Sequence, residues 1–272
     1  MKRPANRRYL DIAINELGKK YGDGLRIRRT MANVIVAQML PGGVIKGGGA
    51  IKLRYGDEAT RFTRDLDAAG HVNSEEYSAQ FSKNLQRGWC DFTGRLVVKP
   101  KARPRGVPTA YVMRPFEVKL AYKGQPWLTV PFELGANELG DAEDFDMAVA
   151  TDAEKYFVEL GLPAPGPIPL MSLSHQIAQK LHGLTEPGSD RVRDLVDIQL
   201  IVAHSTIDFH RTHDLCIRLF NYRKLHTWPP KVVKGEEWDS LYANAKEMLP
   251  ILNSVDEAIV WANALIERID NA

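Results

Sequence analysis

Two aspartates separated by one residue, Asp65 and Asp67, are the part of this sequence whose types and spacing most clearly indicate chemistry. Side chains at positions i and i+2 of a strand point to one face, so a strand over residues 62–69 would present both carboxylates together. Mg²⁺ prefers such hard oxygen ligands and completes its shell with substrate phosphates and water. The spacing therefore predicts metal-assisted phosphoryl transfer. The alternative is a solvated pair that forms ion pairs with Arg61 and Arg64.

Three consecutive glycines, Gly47, Gly48 and Gly49, precede the aspartates. They stand between a short apolar strand at residues 44–46 and a helix predicted to begin at Ala50. A glycine turn exposes successive backbone N–H groups, and the positive end of the following helix adds to their attraction for anions. This segment is therefore able to hold a triphosphate, although an ordinary turn without a ligand is the alternative.

Further polar residues complete the predicted site. Glu133 stands between apolar residues of a predicted strand and is a candidate third metal ligand, or else an exposed strand residue. Lys180 lies on a predicted amphipathic helix, where it is either a surface lysine or a cation that neutralises phosphate charge. Asp194 and Asp197 are three residues apart on the next predicted helix and share a face. They either form a structural ion-pair network or orient the lysine and the nucleotide.

The elements that must position these residues fall into two parts. The first mixes helices and strands, and the second shows only helical periodicity after a Gly- and Pro-rich linker at residues 161–169. We therefore predict an α+β domain over residues 1–160 and an all-helical domain over residues 161–272 that contributes to the active site. Predicted strands cover residues 44–46, 62–69, 95–99, 111–122 and 127–134. Predicted helices cover residues 5–20, 27–40, 50–55, 74–87, 172–186, 189–204, 207–223, 235–248 and 255–270.

The composition excludes several classes of protein. Apolar residues make up 44% and charged residues 26% of 272 residues, as in ordinary globular proteins. The sequence has no apolar run of the length that a membrane span needs, and its basic N-terminus lacks the apolar core of a signal peptide. Cys90 and Cys216 are the only cysteines, so no disulfide scaffold is expected. We predict a cytoplasmic protein with no membrane partner.

Charge is distributed unevenly along the chain. Residues 1–110 contain 21 Lys and Arg against 10 Asp and Glu, whereas the remainder contains 15 against 24. This asymmetry favours a polyanionic partner for the first part, although the two halves could attract each other or the charges could simply be solvated. The candidate RNA-binding residues are Arg28, Arg29, Lys99, Lys101, Arg103 and Arg105.

Four sequence blocks in this order resemble a known family. They are Lys46-Gly-Gly-Gly-Ala50, Arg61-Phe-Thr-Arg-Asp-Leu-Asp67, Ala178-Gln-Lys-Leu181 and Arg191-Val-Arg-Asp-Leu-Val-Asp197. Together they are similar to the AbiEii/AbiGii nucleotidyltransferases, toxins of type IV toxin–antitoxin systems that include the mycobacterial MenT enzymes. Gly49 departs from the pattern, since relatives often have Thr or Ser at this position.

The resemblance implies a DNA polymerase β-like nucleotidyltransferase core with a mixed sheet and a helical C-terminal part. It implies transfer of a nucleoside monophosphate from an NTP, with Mg²⁺ or Mn²⁺, to an acceptor that in some members is the 3′ end of tRNA. That transfer blocks translation, and a cognate antitoxin is expected. The alternatives are transfer to a protein or small-molecule hydroxyl, or a non-catalytic module that binds a partner.

The same resemblance implies roles for individual residues. Asp65, Asp67, Lys180 and Asp194 are the expected catalytic residues, and Asp65 and Asp67 bind the metal, with Glu133 added by analogy. The nucleotide is expected to contact Lys46, Gly47, Gly48, Gly49, Thr63, Lys180 and Asp197.

Overall fold

The computed structural model describes residues 3–70, 73–101 and 112–272. The chain divides into two compact units, one made of Met1–Glu58 and Phe62–Met171 and the other of Ala59–Arg61 and Ser172–Ala272. The division falls after Met171 and not after residue 160, because the strand that follows the proline-rich segment pairs within the first unit.

The first unit is built on a mixed sheet. Its strands are β1 (Val44–Lys46), β2 (Leu66–Gly70), β3 (Phe92–Val98), β4 (Arg114–Tyr122), β5 (Gln125–Ala136), β6 (Phe145–Ala148) and β7 (Ile168–Met171). They lie in the order β3-β4-β5-β2-β1-β7-β6. The β1–β7 and β2–β5 pairs are parallel, and the other neighbours are antiparallel. The helices of this unit are α1 (Arg7–Tyr21), α2 (Gly24–Ala37), α3 (Gly47–Tyr55), α4 (Ser74–Arg87) and α5 (Thr151–Glu159).

One face of the sheet is packed into the core. Leu66 and Ala68 of β2 and Phe132 of β5 are fully buried there, and Phe81 of α4 packs on Phe132 with ring centroids 5.1 Å apart. Alternate residues of β2 and β5 point to the other face, which carries Asp67 and Glu133. The period-2 pattern of the sequence thus correctly predicts which side chains of β5 leave the core.

Three elements of the first unit were not predicted. β6 and β7 have four residues each, too few to show a period, and α5 lies between them. The segment 161–169, predicted as a linker, ends inside β7, where Leu170 pairs with Ile45 of β1. The proline-rich segment therefore leads into the sheet instead of separating two domains.

The second unit is helical, as predicted. Its helices are α6 (Leu173–Thr185), α7 (Val192–His204), α8 (Phe209–Arg223), α9 (Trp238–Lys246) and α10 (Val255–Asp270). Polar side chains cap the starts of α6 and α10: Ser172 accepts from the His175 N–H, and Ser254 with Glu257 forms a capping box. Ile177 and Leu181 of α6 are fully buried, in agreement with the predicted apolar stripe. Within the described residues, every helix is too short or too polar to cross a bilayer.

Candidate active site

Strand register brings Lys46, Asp67 and Glu133 side by side. Lys46 of β1 lies opposite Asp67 of β2, and Asp67 lies opposite Glu133 of β5. Directly opposed residues of neighbouring strands share a face, so one ammonium and two carboxylates form a row across three strands. Gly135, on the same face of β5, leaves room for the lysine: a β-carbon there would lie 2.8 Å from Lys46 Nζ.

The three glycines form the first turn of α3, so the predicted turn with a helix from Ala50 was wrong in its boundary. Gly47 has φ +63°, a conformation that glycine adopts without strain, and this lets the chain enter the helix directly from β1. The N-cap residue of α3, Lys46, makes no side-chain capping hydrogen bond. The N–H groups at the start of such a helix are donors suited to an anion.

Asp67 lies against this helix start. A β-carbon at Gly47 would be 2.5 Å from Asp67 Oδ2, so only a glycine fits beside the carboxylate as it stands. Gly49 is buried, and a β-carbon there would be 3.3 Å from Leu66 Cδ1. The glycines thus provide both backbone conformation and space where the helix meets the metal-ligand candidate.

Asp65 is not part of the strand, contrary to the prediction that both aspartates share one strand. β2 begins at Leu66, where pairing with β5 starts, and Asp65 is exposed directly before it. Burial and the charge of Arg64 lower the pKa of Arg29, and the negative charge of Asp65 opposes them. The guanidinium of Arg61, which the alternative interpretation placed beside the aspartates, donates to both carboxylate oxygens of Asp197.

Glu133 has an altered acidity. Burial raises the pKa of its carboxyl, the charge of Asp65 raises it further, and Lys46 opposes both effects. The electrostatic coupling of Asp65 and Glu133 means that these two acids interact even though Asp65 lies outside the sheet. A carboxyl whose pKa moves toward neutrality is suited to accepting a proton.

The carboxylate oxygens of these acids are suitable ligands for a divalent cation. The described residues contain no cluster of three or more His, Cys, Asp or Glu side chains that could hold a metal ion. Mg²⁺, however, is commonly held by only one or two carboxylates together with substrate phosphates. The adjacent Asp67 and Glu133, with the helix start beside them, match that mode of binding.

The second unit contains a buried charge network centred on Lys180 of α6. Lys180 Nζ lies 2.7 Å from Asp194 Oδ1 and 2.6 Å from Asp197 Oδ2 on α7. Arg61 pairs with Asp197 at 2.8 Å, and Arg191 pairs with Asp194 at 2.7 Å. Lys180 is only 4% exposed, so it is not the surface lysine that the alternative interpretation expected.

Asp197 is ionised in this network. Burial acts to raise the pKa of its carboxyl, but the charges and hydrogen bonds of Arg61 and Lys180 outweigh burial and hold that pKa far below its ordinary value. The two aspartates therefore fix the lysine in one position. The ion pair of Arg191 with Asp194 belongs to the structural network that was one of the two predicted alternatives for these aspartates. The partner role of Arg61 was not predicted, although Arg61 stands in one of the sequence blocks that indicated the family.

The remaining predicted residues are Thr63, a candidate for nucleotide contact, and the candidate RNA-binding residues. Thr63 is buried, and its Oγ1 has no hydrogen-bond partner among the described residues. Arg28 lies 3.3 Å from Asp11, and Lys99 lies 3.0 Å from Glu117. Arg29 donates to the Thr129 carbonyl oxygen at 2.9 Å. Lys101 is exposed, whereas Arg103 and Arg105 lie outside the described residues. RNA binding by these residues stays a prediction.

A mixed sheet that places carboxylates beside a glycine-initiated helix is an arrangement suited to an enzyme that handles nucleotides. The structure is similar to that of MenT4, a nucleotidyltransferase toxin from Mycobacterium tuberculosis H37Rv, with a TM-score of 0.53 and 17% sequence identity. The similarity covers 97% of this chain and 98% of that chain and shows the fold. No curated protein matches the sequence.

The family model for the AbiEii nucleotidyltransferase toxins of type IV toxin–antitoxin systems matches residues 30–262, and the chain belongs to this family. The predicted α+β fold, the family and the enzyme class are therefore confirmed. Members of this family use an NTP and a divalent metal, and a toxin of a type IV system has an antitoxin as its partner. The chain is thus a nucleotidyltransferase of a toxin family, and not a non-catalytic binding module.

Proposed function

We propose that this enzyme transfers a nucleoside monophosphate from an NTP to the 3′ hydroxyl of an RNA, with tRNA as the first candidate, and so blocks translation in the cytoplasm. The observation that carries the proposal is the row of Lys46, Asp67 and Glu133 beside the first turn of α3. This row combines acidic oxygens for a cation with positive groups for phosphates. A cognate antitoxin would restrain the activity.

The triphosphate is held by the N–H groups of Gly47, Gly48 and Gly49 and by the ammonium of Lys46. Thr63 and Asp197 are further candidates for nucleotide contact. Asp65, Asp67 and Glu133 would hold Mg²⁺ or Mn²⁺, which when bound neutralises phosphate charge and polarises the α-phosphoryl group. The buried ion pair with Asp194 orients Lys180, whose contact with the nucleotide stays a prediction.

In the reaction, the acceptor hydroxyl oxygen forms a bond to the α-phosphorus of the NTP. The bond from that phosphorus to the α–β bridging oxygen breaks, and pyrophosphate leaves with the bonding electron pair. Glu133 accepts the proton of the attacking hydroxyl, a role favoured by the raised pKa of its carboxyl. The helix N–H groups and Lys46 stabilise the negative charge that grows on the departing phosphates.

An RNA acceptor is favoured over a protein or small-molecule hydroxyl by the excess of basic residues in the first part of the chain. Because Lys99 and Arg28 each have an acidic neighbour, their contribution to RNA binding depends on how far those ion pairs open. The proposal therefore rests on the site in the sheet and not on the number of basic residues.

The test is a transfer assay with each of the four NTPs labelled at the α-phosphate. Purified protein is incubated with total RNA or with total protein, with Mg²⁺ or with EDTA. We expect label on RNA only, only with Mg²⁺, and not with Asp67→Asn. Asp146→Asn, an exposed aspartate in β6 of the same sheet, is the matched control and should transfer normally. Label on protein alone, or full transfer by Asp67→Asn, would overturn the proposal.

A further inference from the structure

A basic cavity of about 500 Å³ lies at one end of the sheet in the first unit. Lys99, Lys101 and Arg114 contribute cationic side chains to its wall, and Ser74 and Gly135 are among the other lining residues. The described residues that line it include no carboxylate. Even with Lys99 paired to Glu117, these side chains leave a net positive charge at the cavity, which attracts an anion.

Two of these cations are held in place by neighbours. Arg114 donates from its NH1 group to Ser74 Oγ at 2.6 Å, and its guanidinium lies over the Phe116 ring, 5.8 Å from the centroid. Lys99 lies 3.0 Å from Glu117. A guanidinium has five N–H donors, so the bond to Ser74 orients Arg114 without using its capacity for a planar phosphate contact.

The side chains, and not the start of α4, provide the positive charge. Asn73 Oδ1 accepts from the N–H groups of Glu75 and Glu76, which caps the helix. The carboxylates of those two residues also lie in the first turn and offset the helix dipole.

The cavity lies next to the catalytic row. Gly135 lines the cavity and is two residues beyond Glu133 in β5, a distance of about 7 Å along a strand. Lys46 Nζ approaches the same glycine from β1. A polyanion whose end reaches Glu133 would therefore place another of its phosphates near this cavity.

We infer that the cavity lined by Lys99, Lys101 and Arg114 binds a backbone phosphate of the acceptor RNA and so holds its end at the catalytic row. This inference rests on the proposed function for the identity of the polyanion. It assigns a substrate-positioning role to Arg114, which neither the sequence blocks nor the charge pattern indicated. The same cationic side chains could instead bind a phosphate of the NTP. RNA binding and NTP binding are therefore measured separately.

The first arm measures binding of a fluorescent single-stranded RNA by anisotropy at several salt concentrations, in the full chain. Each phosphate contact to a single strand contributes about 0.7 to the slope of log K against log salt. We expect Arg114→Gln and Lys99→Gln each to lower the slope by about that amount and to weaken binding about threefold near physiological salt. Arg95→Gln and Lys119→Gln remove cations that face each other on β3 and β4 outside the cavity, and should change neither quantity.

Equal losses in the cavity and control variants would mean a diffuse basic surface and would overturn the inference, as would no loss in any variant. Ser74→Ala keeps the charge of Arg114 and removes its partner, so it should leave the slope intact. If Ser74→Ala and Arg114→Gln lower the slope and the unfolding midpoint equally, Arg114 is only structural and the inference fails.

The second arm measures NTP binding by calorimetry in the same variants. Unchanged NTP affinity in Arg114→Gln supports an acceptor site, whereas lost NTP affinity with normal RNA binding overturns it. Failure of the proposed function is seen separately, because it abolishes transfer in the unaltered protein. A specific slope change without any transfer would retain the phosphate site and reject the enzymatic proposal.

Discussion

Gly47 and Asp67 approach so closely that a β-carbon on Gly47 would lie 2.5 Å from Asp67 Oδ2. Gly47 also has φ +63°, so both its conformation and its lack of a side chain are required at this point. The carboxylate that is the best metal-ligand candidate thus touches the backbone that is the best phosphate-binding candidate. This contact between α3 and β2 joins the catalytic row to the first turn of the helix.

Gly47→Ala should therefore reduce transfer strongly. Asp67 must move to admit the new methyl group, and a displacement of about 1 Å in a catalytic site can lower the rate about 10²-fold. The positive φ also costs about 1–2 kcal/mol of stability for a residue with a β-carbon. Gly124→Ala is the matched control, because Gly124 has φ +77° but nothing within 4 Å of a β-carbon. It should lose similar stability in urea unfolding and retain transfer; equal transfer rates in the two variants would contradict the prediction.

Glu133 should titrate above an ordinary glutamate in the metal-free protein. Burial raises the pKa of its carboxyl, Asp65 raises it further, and Lys46 opposes both effects. Asp65→Asn removes one of the charges that raise this pKa, so the Glu133 carboxyl should titrate at lower pH, which NMR of its side-chain carboxyl carbon measures. Asp146→Asn should leave this titration in place, and an unchanged titration in Asp65→Asn would contradict the prediction.

Lys180→Met should destabilise the second unit. It leaves Asp194 and Asp197 buried with only Arg61 and Arg191 as partners, and breaking a buried pair costs about 3–5 kcal/mol. Urea unfolding followed by tryptophan fluorescence measures this, since Trp238 is buried in the same unit.

The control for this prediction is Lys234→Met. Lys234 also lies between two aspartates, Asp239 at 2.8 Å and Asp256 at 3.1 Å, but both of those side chains are mostly exposed to solvent. Ion pairs on the surface are screened by solvent and contribute little to stability. The loss of stability in Lys234→Met should therefore be much smaller than in Lys180→Met. Similar losses for the two lysines would show that the network of Lys180 is not stabilising.

Stability of the second unit should decrease in mild acid because of His182. Burial and, to a smaller extent, the charges of Arg223, His226 and Arg191 together lower the pKa of this side chain to about 3. The folded pKa is below the ordinary value of 6.5, so the unfolded chain takes up the proton first. The stability linked to this group is therefore complete above pH 6.5 and is lost as pH falls toward 3.

The measurement is the urea midpoint at pH 7 and at pH 5. In the unaltered protein the midpoint should fall on acidification, and His182→Gln should reduce that difference. His210→Gln alters an exposed histidine at the start of α8 and should not change it. An unchanged pH dependence in His182→Gln would assign the acid sensitivity to other groups.

Local patterns in the sequence predicted much of this fold. The helix over residues 74–87 has Asn73 as its cap and Tyr77, Phe81 and Leu85 as its buried stripe, and its predicted bounds match α4. Alternation in β5 correctly directed Glu133 away from the core. β6 and β7 could not be predicted in this way, because four-residue strands are defined by distant partners such as Ile45 and Leu170.

In the candidate site, too, contacts between residues distant in sequence could not be predicted from local patterns. Residue types and order indicated Asp67, Glu133 and Lys180, but the register that sets Lys46 beside Asp67 is a non-local pairing. Likewise, the three-residue spacing of Asp194 and Asp197 predicted a shared face and not the partner Arg61, which is 136 positions away from Asp197. Local periodicity does not contain such information.

The position of β7 also bears on how the chain folds as the ribosome makes it. β1, which ends at Lys46, acquires one of its two neighbours only when residues 168–171 have been synthesised, and β6 has no other partner in the sheet. A nascent chain released at residue 160 would therefore have an open edge next to the phosphate-binding glycines. The strand that carries Lys46 is in this way flanked on both sides only after well over half of the polypeptide has emerged.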